Sequence, residues 1–454
     1  GAFAVSEDVP LEVLTEEVVS IGVLRRVARA EVFFDAGDDG GESSAEAVGD
    51  VTNAGLSLGP GAGLGSDAPP RDAHAIERAY VGSTSGSLIG TALESAGRVP
   101  DLTSDQLRNS LIESAVLPLG CSPETRGAIV ESLKKLACAD PGDASFCGKA
   151  VLLYGAPGTG KSLLAKAAAV SAGAAFFDLS PGVSDGLFTA KKGKGSPEEL
   201  VAKTFALAKA FQPSVVYVDD ADLMFVADKK KAKALRAERG ATQALDHAKA
   251  ALAKEVKALK PTERIVVIGE ARTPHACVKK DQKALLEFFR TRLRCPAPTY
   301  ADRLALWPAL LRRVAYDVAK KSAEGQGSGS SSATNTTTPR LAALRSAAKA
   351  TLSRKDAAIL ATLTEGFSQG GIRAIAQSVL TERRVALLTE GKTRHDGDAL
   401  SSGEFVDRIA RFERMDELEV EALRQWEAAL PGADKFEPEP EPEPEPEDPK
   451  KKKK

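Results

Sequence analysis

Val151-Leu152-Leu153-Tyr154-Gly155-Ala156-Pro157-Gly158-Thr159-Gly160-Lys161-Ser162 is the stretch that decides the fold. Its last eight residues fit G-x-x-x-x-G-K-[ST], the phosphate-binding loop. The apolar run before it predicts a strand, and Leu163-Leu164-Ala165-Lys166-Ala167 after it opens a helix. Glycines let consecutive backbone N–H groups curl around a phosphate without Cβ clashes. The helix that follows points its positive end at the same anion. Lys161 is expected to reach the β- and γ-phosphates, and the Ser162 hydroxyl to ligate Mg²⁺. Candidate nucleotide contacts are therefore Gly155, Ala156, Pro157, Gly158, Thr159, Gly160, Lys161, Ser162 and Leu163, with ATP or ADP and Mg²⁺ as the expected cofactors.

A second stretch supports the first. Gln212-Pro213-Ser214 leads into Val215-Val216-Tyr217-Val218-Asp219-Asp220, a buried-strand pattern that ends in two carboxylates. A Walker B strand ends this way: one acid serves the Mg²⁺ shell and the next polarises the attacking water. Asp219 takes the metal position and Asp220 the catalytic one. Active ATPases of this type mostly carry Glu at the second position. Asp falls about 1.5 Å short of it on a fixed backbone, and errors of that size cost about 100-fold in rate. Binding of ATP is expected; its hydrolysis stays open.

Further strands are expected at Ala175–Leu179 and Arg264–Gly269. Alternating strand–helix units behind a phosphate loop predict an α/β fold with a parallel sheet, the nucleotide lying at the carboxyl ends of the strands. The expected organisation is an N-terminal helical segment over 1–35, including a helix from Leu11 to Val27, and a disordered linker over 36–73. A helical lead-in follows over 74–117, with a helix from Leu102 to Leu117 begun by Thr103 or Ser104. The α/β nucleotide-binding domain runs over 118–299 and a helical lid over 300–430, with a Gly/Ser/Thr-rich insert at 325–339. The tail over 431–454 alternates Glu and Pro and ends in lysines. One Ala/Lys-rich helix is expected over Lys229–Leu259, with Lys229-Lys230-Lys231 on a solvated face.

With these parts in place the chain resembles an AAA+ domain. Gly366-Phe367-Ser368-Gln369-Gly370-Gly371-Ile372 resembles the opening of the AAA lid helix, and Cys295-Pro296-Ala297-Pro298 the junction from strand to lid. Within AAA proteins the chain is most similar to the IQ-motif and AAA-domain-containing family. The narrower match rests on Ala79-Tyr80-Val81-Gly82, Leu117-Pro118-Leu119-Gly120, Phe176-Phe177-Asp178-Leu179-Ser180 and Thr364-Glu365-Gly366-Phe367-Ser368-Gln369-Gly370, among others. The resemblance spans about residues 74–430. It implies an ATP-binding subunit of the nexin-dynein regulatory complex in the axoneme of motile cilia and flagella. The implied partners are other subunits of that complex, doublet microtubules and axonemal proteins. The IQ motif that the resemblance implies for calmodulin is expected outside these residues.

The departures from an AAA motor carry as much information. Arg272 falls where the resemblance implies a sensor Asn, and Arg cannot accept a hydrogen bond from a water. It remains a candidate catalytic cation, beside Asp220 as candidate acid. Leu285 and Phe288 fall at arginine-finger positions, with Arg290, Arg292 and Arg294 out of register. Losing a finger costs about 10³–10⁵ in phosphoryl transfer. The pore-loop stretch Lys191-Lys192-Gly193-Lys194-Gly195 has no aromatic residue, and Phe188 comes early. These losses favour a nucleotide-stabilised scaffold over a threading hexamer. An active oligomeric ATPase or a nucleotide-gated switch is the alternative.

Composition is consistent with this reading. The 454 residues are 43% hydrophobic and 27% charged, with a net charge of −2, so no global basic signature points to nucleic acid. No apolar run approaches about 20 residues, so no membrane-spanning helix is expected. Five cysteines without a C-x-x-C pair read as reduced thiols rather than a metal site. His275 and Cys277 read as structural, and Trp307 and Trp426 as lid-core or interface anchors. The first residue is Gly1 and the only methionines are Met224 and Met415, so a fragment or processed product is expected.

Overall fold

A six-stranded sheet lies at the centre of the chain. Strands β2 (Ala150–Tyr154), β3 (Ala175–Asp178), β4 (Ser214–Val218), β5 (Ile265–Ala271) and β6 (Thr291–Arg294) run parallel. β1 (Leu24–Arg25) joins one edge antiparallel to β3, and the order across the sheet is β1-β3-β4-β5-β2-β6. The computed structural model describes residues 11–25, 27, 104–137, 148–180, 196–226, 228–239, 248–277, 279–325, 343, 346–390 and 400–430. The expected linker at 36–73, the start of the lead-in, the pore-loop stretch with Phe188, most of the 325–339 insert, the charged tail, Cys138 and Cys147 lie outside the described residues.

β2, β4 and β5 are buried along their whole length, as strands covered on both faces must be. Alternation along them feeds two cores. Leu152, Val216, Val218, Ile265 and Val267 enter one; Val151, Leu153, Val215, Tyr217, Val266 and Ile268 enter the other. The second core is closed by the helix after the phosphate loop, α5 (Lys161–Ala172), through Leu164, Ala165 and Ala168. That helix stops at Gly173, whose left-handed backbone lets Ala174 N–H reach the Ala169 carbonyl at 2.8 Å. The first core is closed by α6 (Pro197–Ala210), begun by Ser196 with Pro197 in its first turn.

Three expectations need correction, and one strand, β6, comes in addition to those expected. The N-terminal helix, α1, covers only Leu11–Ser20, because Gly22 turns left-handed and Leu24–Arg25 then pairs with Phe176–Phe177. Arg25 there lies over the Phe176 ring and 3.3 Å from Asp178. The lead-in helix divides into α2 (Ser104–Leu111), a π-helical turn at Ile112–Val116 and α3 (Leu117–Gly120). Pro118 has no N–H for the carbonyl four residues back, and the widened turn precedes it. After α4 (Pro123–Ala137), the Ala/Lys-rich stretch yields two helices, α7 (Lys229–Arg239) and α8 (Ala248–Ala258). Finally, β6 follows α9 (Lys279–Phe288); its Thr-Arg-Leu-Arg sequence lacks an apolar run and is held by pairing with β2.

Beyond the sheet the described residues are mostly helical, with an isolated bridge between Leu352 and Leu400. α10 (Tyr300–Gly325), α11 (Arg354–Leu363), α12 (Gln369–Val379), α13 (Glu382–Glu390) and α14 (Gly403–Ile409) enclose a third core. Trp307 is fully buried there, edge-on to Phe405, and its Nε1–H donates to Thr364 Oγ1 at 3.2 Å. The last helix, α15 (Glu417–Ala428), returns to the sheet. Its Trp426 packs edge-on against Tyr154, and Glu427 accepts from the Tyr154 hydroxyl at 2.7 Å and from Arg294 at 2.9 Å. Both tryptophans are thus core anchors.

Candidate functional site

The phosphate loop leaves β2 with three glycines in the left-handed region: Gly155, Gly158 and Gly160, at φ 149°, 78° and 90°. Gly158 is needed twice over. A Cβ there would strain the backbone and come 2.6 Å from Ser368 Oγ. Opposite it, the Gly370 N–H at the start of α12 donates to the Gly158 carbonyl at 2.8 Å. The lid helix therefore meets the loop backbone to backbone, and Ser368 caps that helix by accepting from Gly371 N–H at 3.1 Å. Thr159 closes the loop on itself, donating to the Ala156 carbonyl at 2.9 Å. Pro157 and Gly158 are exposed at the tip; Leu163 packs its side chain toward the second core.

Lys161 is buried within the loop. Its ammonium donates to the Gly155 and Ala156 carbonyls at 2.9 and 2.8 Å and lies 3.6 Å from Glu270. Ser162 donates to Glu270 Oε2 at 2.7 Å, and the Tyr217 hydroxyl donates to the same oxygen at 2.6 Å. Burial, then the Glu270 charge, pushes the Tyr217 phenol far up, so it stays a donor. A backbone cradle, a buried cation and a hydroxyl facing a carboxylate suit a phosphate chain with a divalent cation.

The two expected acids part company at the end of β4. Asp219 stands two residues beyond Tyr217, near the Glu270 and Asp220 carboxylates. Burial first, then the Glu270 and Asp220 charges, pushes its carboxyl up to about 6. Its Oδ1 accepts the Asp220 N–H at 2.7 Å. Asp220 has φ 47° and belongs to a cationic cluster. Its Oδ1 lies 2.8 Å from Arg239 Nη1 and 3.1 Å from Arg272 Nε. Arg239 also forks onto Asp222 at 3.1 Å through both nitrogens. Thr273 N–H completes Asp222 at 3.0 Å. Burial raises the Asp220 carboxyl while Arg239 and Arg272 pull against it.

Arg272, the sensor-position residue, is thus engaged with Asp220. Leu285 and Phe288 are core residues, Phe288 packing against Phe225 and Phe289. Arg294 pairs with Glu427. Burial pushes the His275 imidazole down, and Cys277 donates weakly to the Asp222 carbonyl.

Two residues of the site escape a sequence reading, Glu270 and Arg239. Glu270 pairs with Leu153 across β5 and β2, while Val218 pairs with Gly269 one step earlier. Only that strand register sets Glu270 level with Asp219. A charged residue inside the buried run Ile265–Ala271 is the signal that marks it. Arg239 lies 19 residues from Asp220 in a stretch that reads as solvated helix.

Comparison with known proteins follows the geometry. Residues 151–294 match the model of AAA, the ATPase family associated with various cellular activities. Dynein regulatory complex protein 11 of Mus musculus is 25% identical over 353 residues, 78% of this chain and 33% of that protein. Fidgetin-like protein 1 of Drosophila melanogaster is 32% identical over 171 residues, 37% of this chain and 29% of the relative. The crystal structure of the FIGL-1 AAA domain in complex with ADP aligns with a TM-score of 0.43 at 21% identity, covering 70% of this chain and 86% of that one. The chain spans about a third of the length of these curated relatives. The AAA+ α/β nucleotide-binding fold expected from the phosphate loop is the fold observed, in a chain similar along most of its length to Dynein regulatory complex protein 11.

Proposed function

We propose that this protein is an ATP-binding AAA scaffold of the dynein regulatory complex on ciliary doublet microtubules, with hydrolysis weak or absent. The nucleotide acts as a structural ligand. Bound about 1,000-fold above its Kd, it adds about 4 kcal/mol to stability. Gly155 to Ser162 would hold the phosphates, and Ser162 and Asp219 would face Mg²⁺. Magnesium, when bound, neutralises phosphate charge.

One observation carries the reading: Asp220 is held between Arg239 and Arg272. A carboxylate oxygen already committed to two guanidinium groups is badly placed to orient a water. The burial of Leu285 and Phe288 adds to it, since apolar core side chains cannot serve a neighbouring subunit's nucleotide. The likeness to Dynein regulatory complex protein 11 supports the axonemal setting and other subunits of the complex as partners. The proposed division places the nucleotide-binding domain at 118–299 and the lid at 300–430.

The test is the nucleotide retained after incubation with ATP and rapid desalting, with Lys161→Ala as control. Stoichiometric ATP that persists for hours in the wild type alone is the expected result. Steady turnover above about 1 s⁻¹, the low end of enzyme rates, would refute the scaffold reading.

A further inference from the structure

The carboxylate nearest to Ser162 does not come from the strand that ends in paired acids. Glu270, one strand over, accepts the Ser162 hydroxyl at 2.7 Å, while Asp219 Oδ1 is turned onto the Asp220 N–H. Alternation on β5 carries Glu270 to the face of Val266 and Ile268, the face covered by α5. It is 95% buried, so its charge is stabilised by what surrounds it: the Ser162 and Tyr217 hydroxyls and the Lys161 ammonium at 3.6 Å. Mg²⁺ prefers an octahedron of oxygens at about 2.0–2.1 Å, which sets adjacent ligands about 3 Å apart. The Ser162–Glu270 oxygen pair is already close to that edge length.

We propose that Glu270, whose carboxylate faces the Ser162 hydroxyl, is the residue that would hold the divalent cation of a bound nucleotide together with Ser162, with Asp219 beside it. The inference rests on the nucleotide-binding reading above. It assigns the cation's protein contact to β5 and leaves Asp220 to the arginine cluster. Lys161, whose ammonium lies 3.6 Å from Glu270, would turn to the phosphates and leave Glu270 to hold the cation.

The test is isothermal titration of ADP into the full chain, in Mg²⁺ and in EDTA, for wild type, Glu270→Gln and Lys161→Ala. Gln keeps the side-chain length and an oxygen for the Tyr217 hydroxyl. The expected result is that Glu270→Gln cuts the Mg²⁺ enhancement of ADP affinity at least tenfold, with affinity in EDTA within threefold of wild type. Glu270→Asp, which keeps the charge but draws it back, should lose part of the enhancement and serves if the Gln variant does not fold. Full enhancement in either variant overturns the assignment, as does an equal loss of affinity with and without Mg²⁺. Absence of ADP binding in the wild type itself would overturn the nucleotide-site reading as well, an outcome distinct from these.

Discussion

Replacing Arg239 with Ala should destabilise the protein by about 3 kcal/mol or more. The Arg239 side chain is 6% exposed and donates to Asp220, to both oxygens of Asp222 and to Thr273. Removing one partner of a buried ion pair costs about 3–5 kcal/mol, because the remaining charge is stranded. The lower end applies here. Asp220 keeps Arg272 at 3.1 Å, and Asp222 keeps the Thr273 N–H at 3.0 Å. Urea denaturation followed by tryptophan fluorescence would measure the loss. Arg239→Lys retains charge without the planar fork and should fall between wild type and Ala. Adding Asp222→Asn to the Ala variant should restore about 1 kcal/mol or more, since it neutralises the stranded carboxylate. A loss below about 1 kcal/mol for Arg239→Ala would refute the reasoning, and Asp220 would then be left with Arg272 alone to divert it.

Three other outcomes are expected. Trp307→Ala should cost about 3–5 kcal/mol, detectable by chemical denaturation of the lid, and Trp307→Phe distinctly less, since Phe keeps much of the packing but not the bond to Thr364. Asp219 has a folded-state pKa raised from 3.8 to about 6, so the folded chain holds its proton more tightly than the unfolded chain. That contribution, about 2–3 kcal/mol, is present below pH 4 and is lost as pH rises through 6; Asp219→Asn should flatten the stability profile over that window. Gly158→Ala should cost about 1–2 kcal/mol through its left-handed backbone. It should also weaken ADP binding, since the new methyl would come 2.6 Å from Ser368 Oγ at the loop's contact with the lid.

What was legible in the sequence was local. The phosphate loop and the Asp219-Asp220 strand end each occupy a single run of residues, and their chemistry depends on spacing along the chain. The parallel sheet followed because an apolar run before each helix has one economical arrangement. What stayed hidden depends on the third dimension. Glu270 meets Ser162 only through the register of β5 against β2, and Arg239 meets Asp220 only after α7 folds back. β1 was hidden for a different reason: Leu11–Val27 has apolar residues at helical spacing, yet two of its residues are worth more as a cover for the exposed edge of β3 than as a further turn. β6 carries two arginines in four residues and becomes a strand because β2 offers it an unpaired edge.

The hydrogen bond from Gly370 to Gly158 joins two glycines whose backbones touch with no side chain between them. A joint of that kind has little slack: opening the phosphate loop there means breaking that bond or moving the first turn of α12. The two halves of the molecule are therefore thermodynamically linked. Whatever grips the lid, such as a neighbouring subunit, must change nucleotide affinity by the same factor with which nucleotide changes its grip. Even without turnover, such a chain could report, through that reciprocity, whether its site is filled.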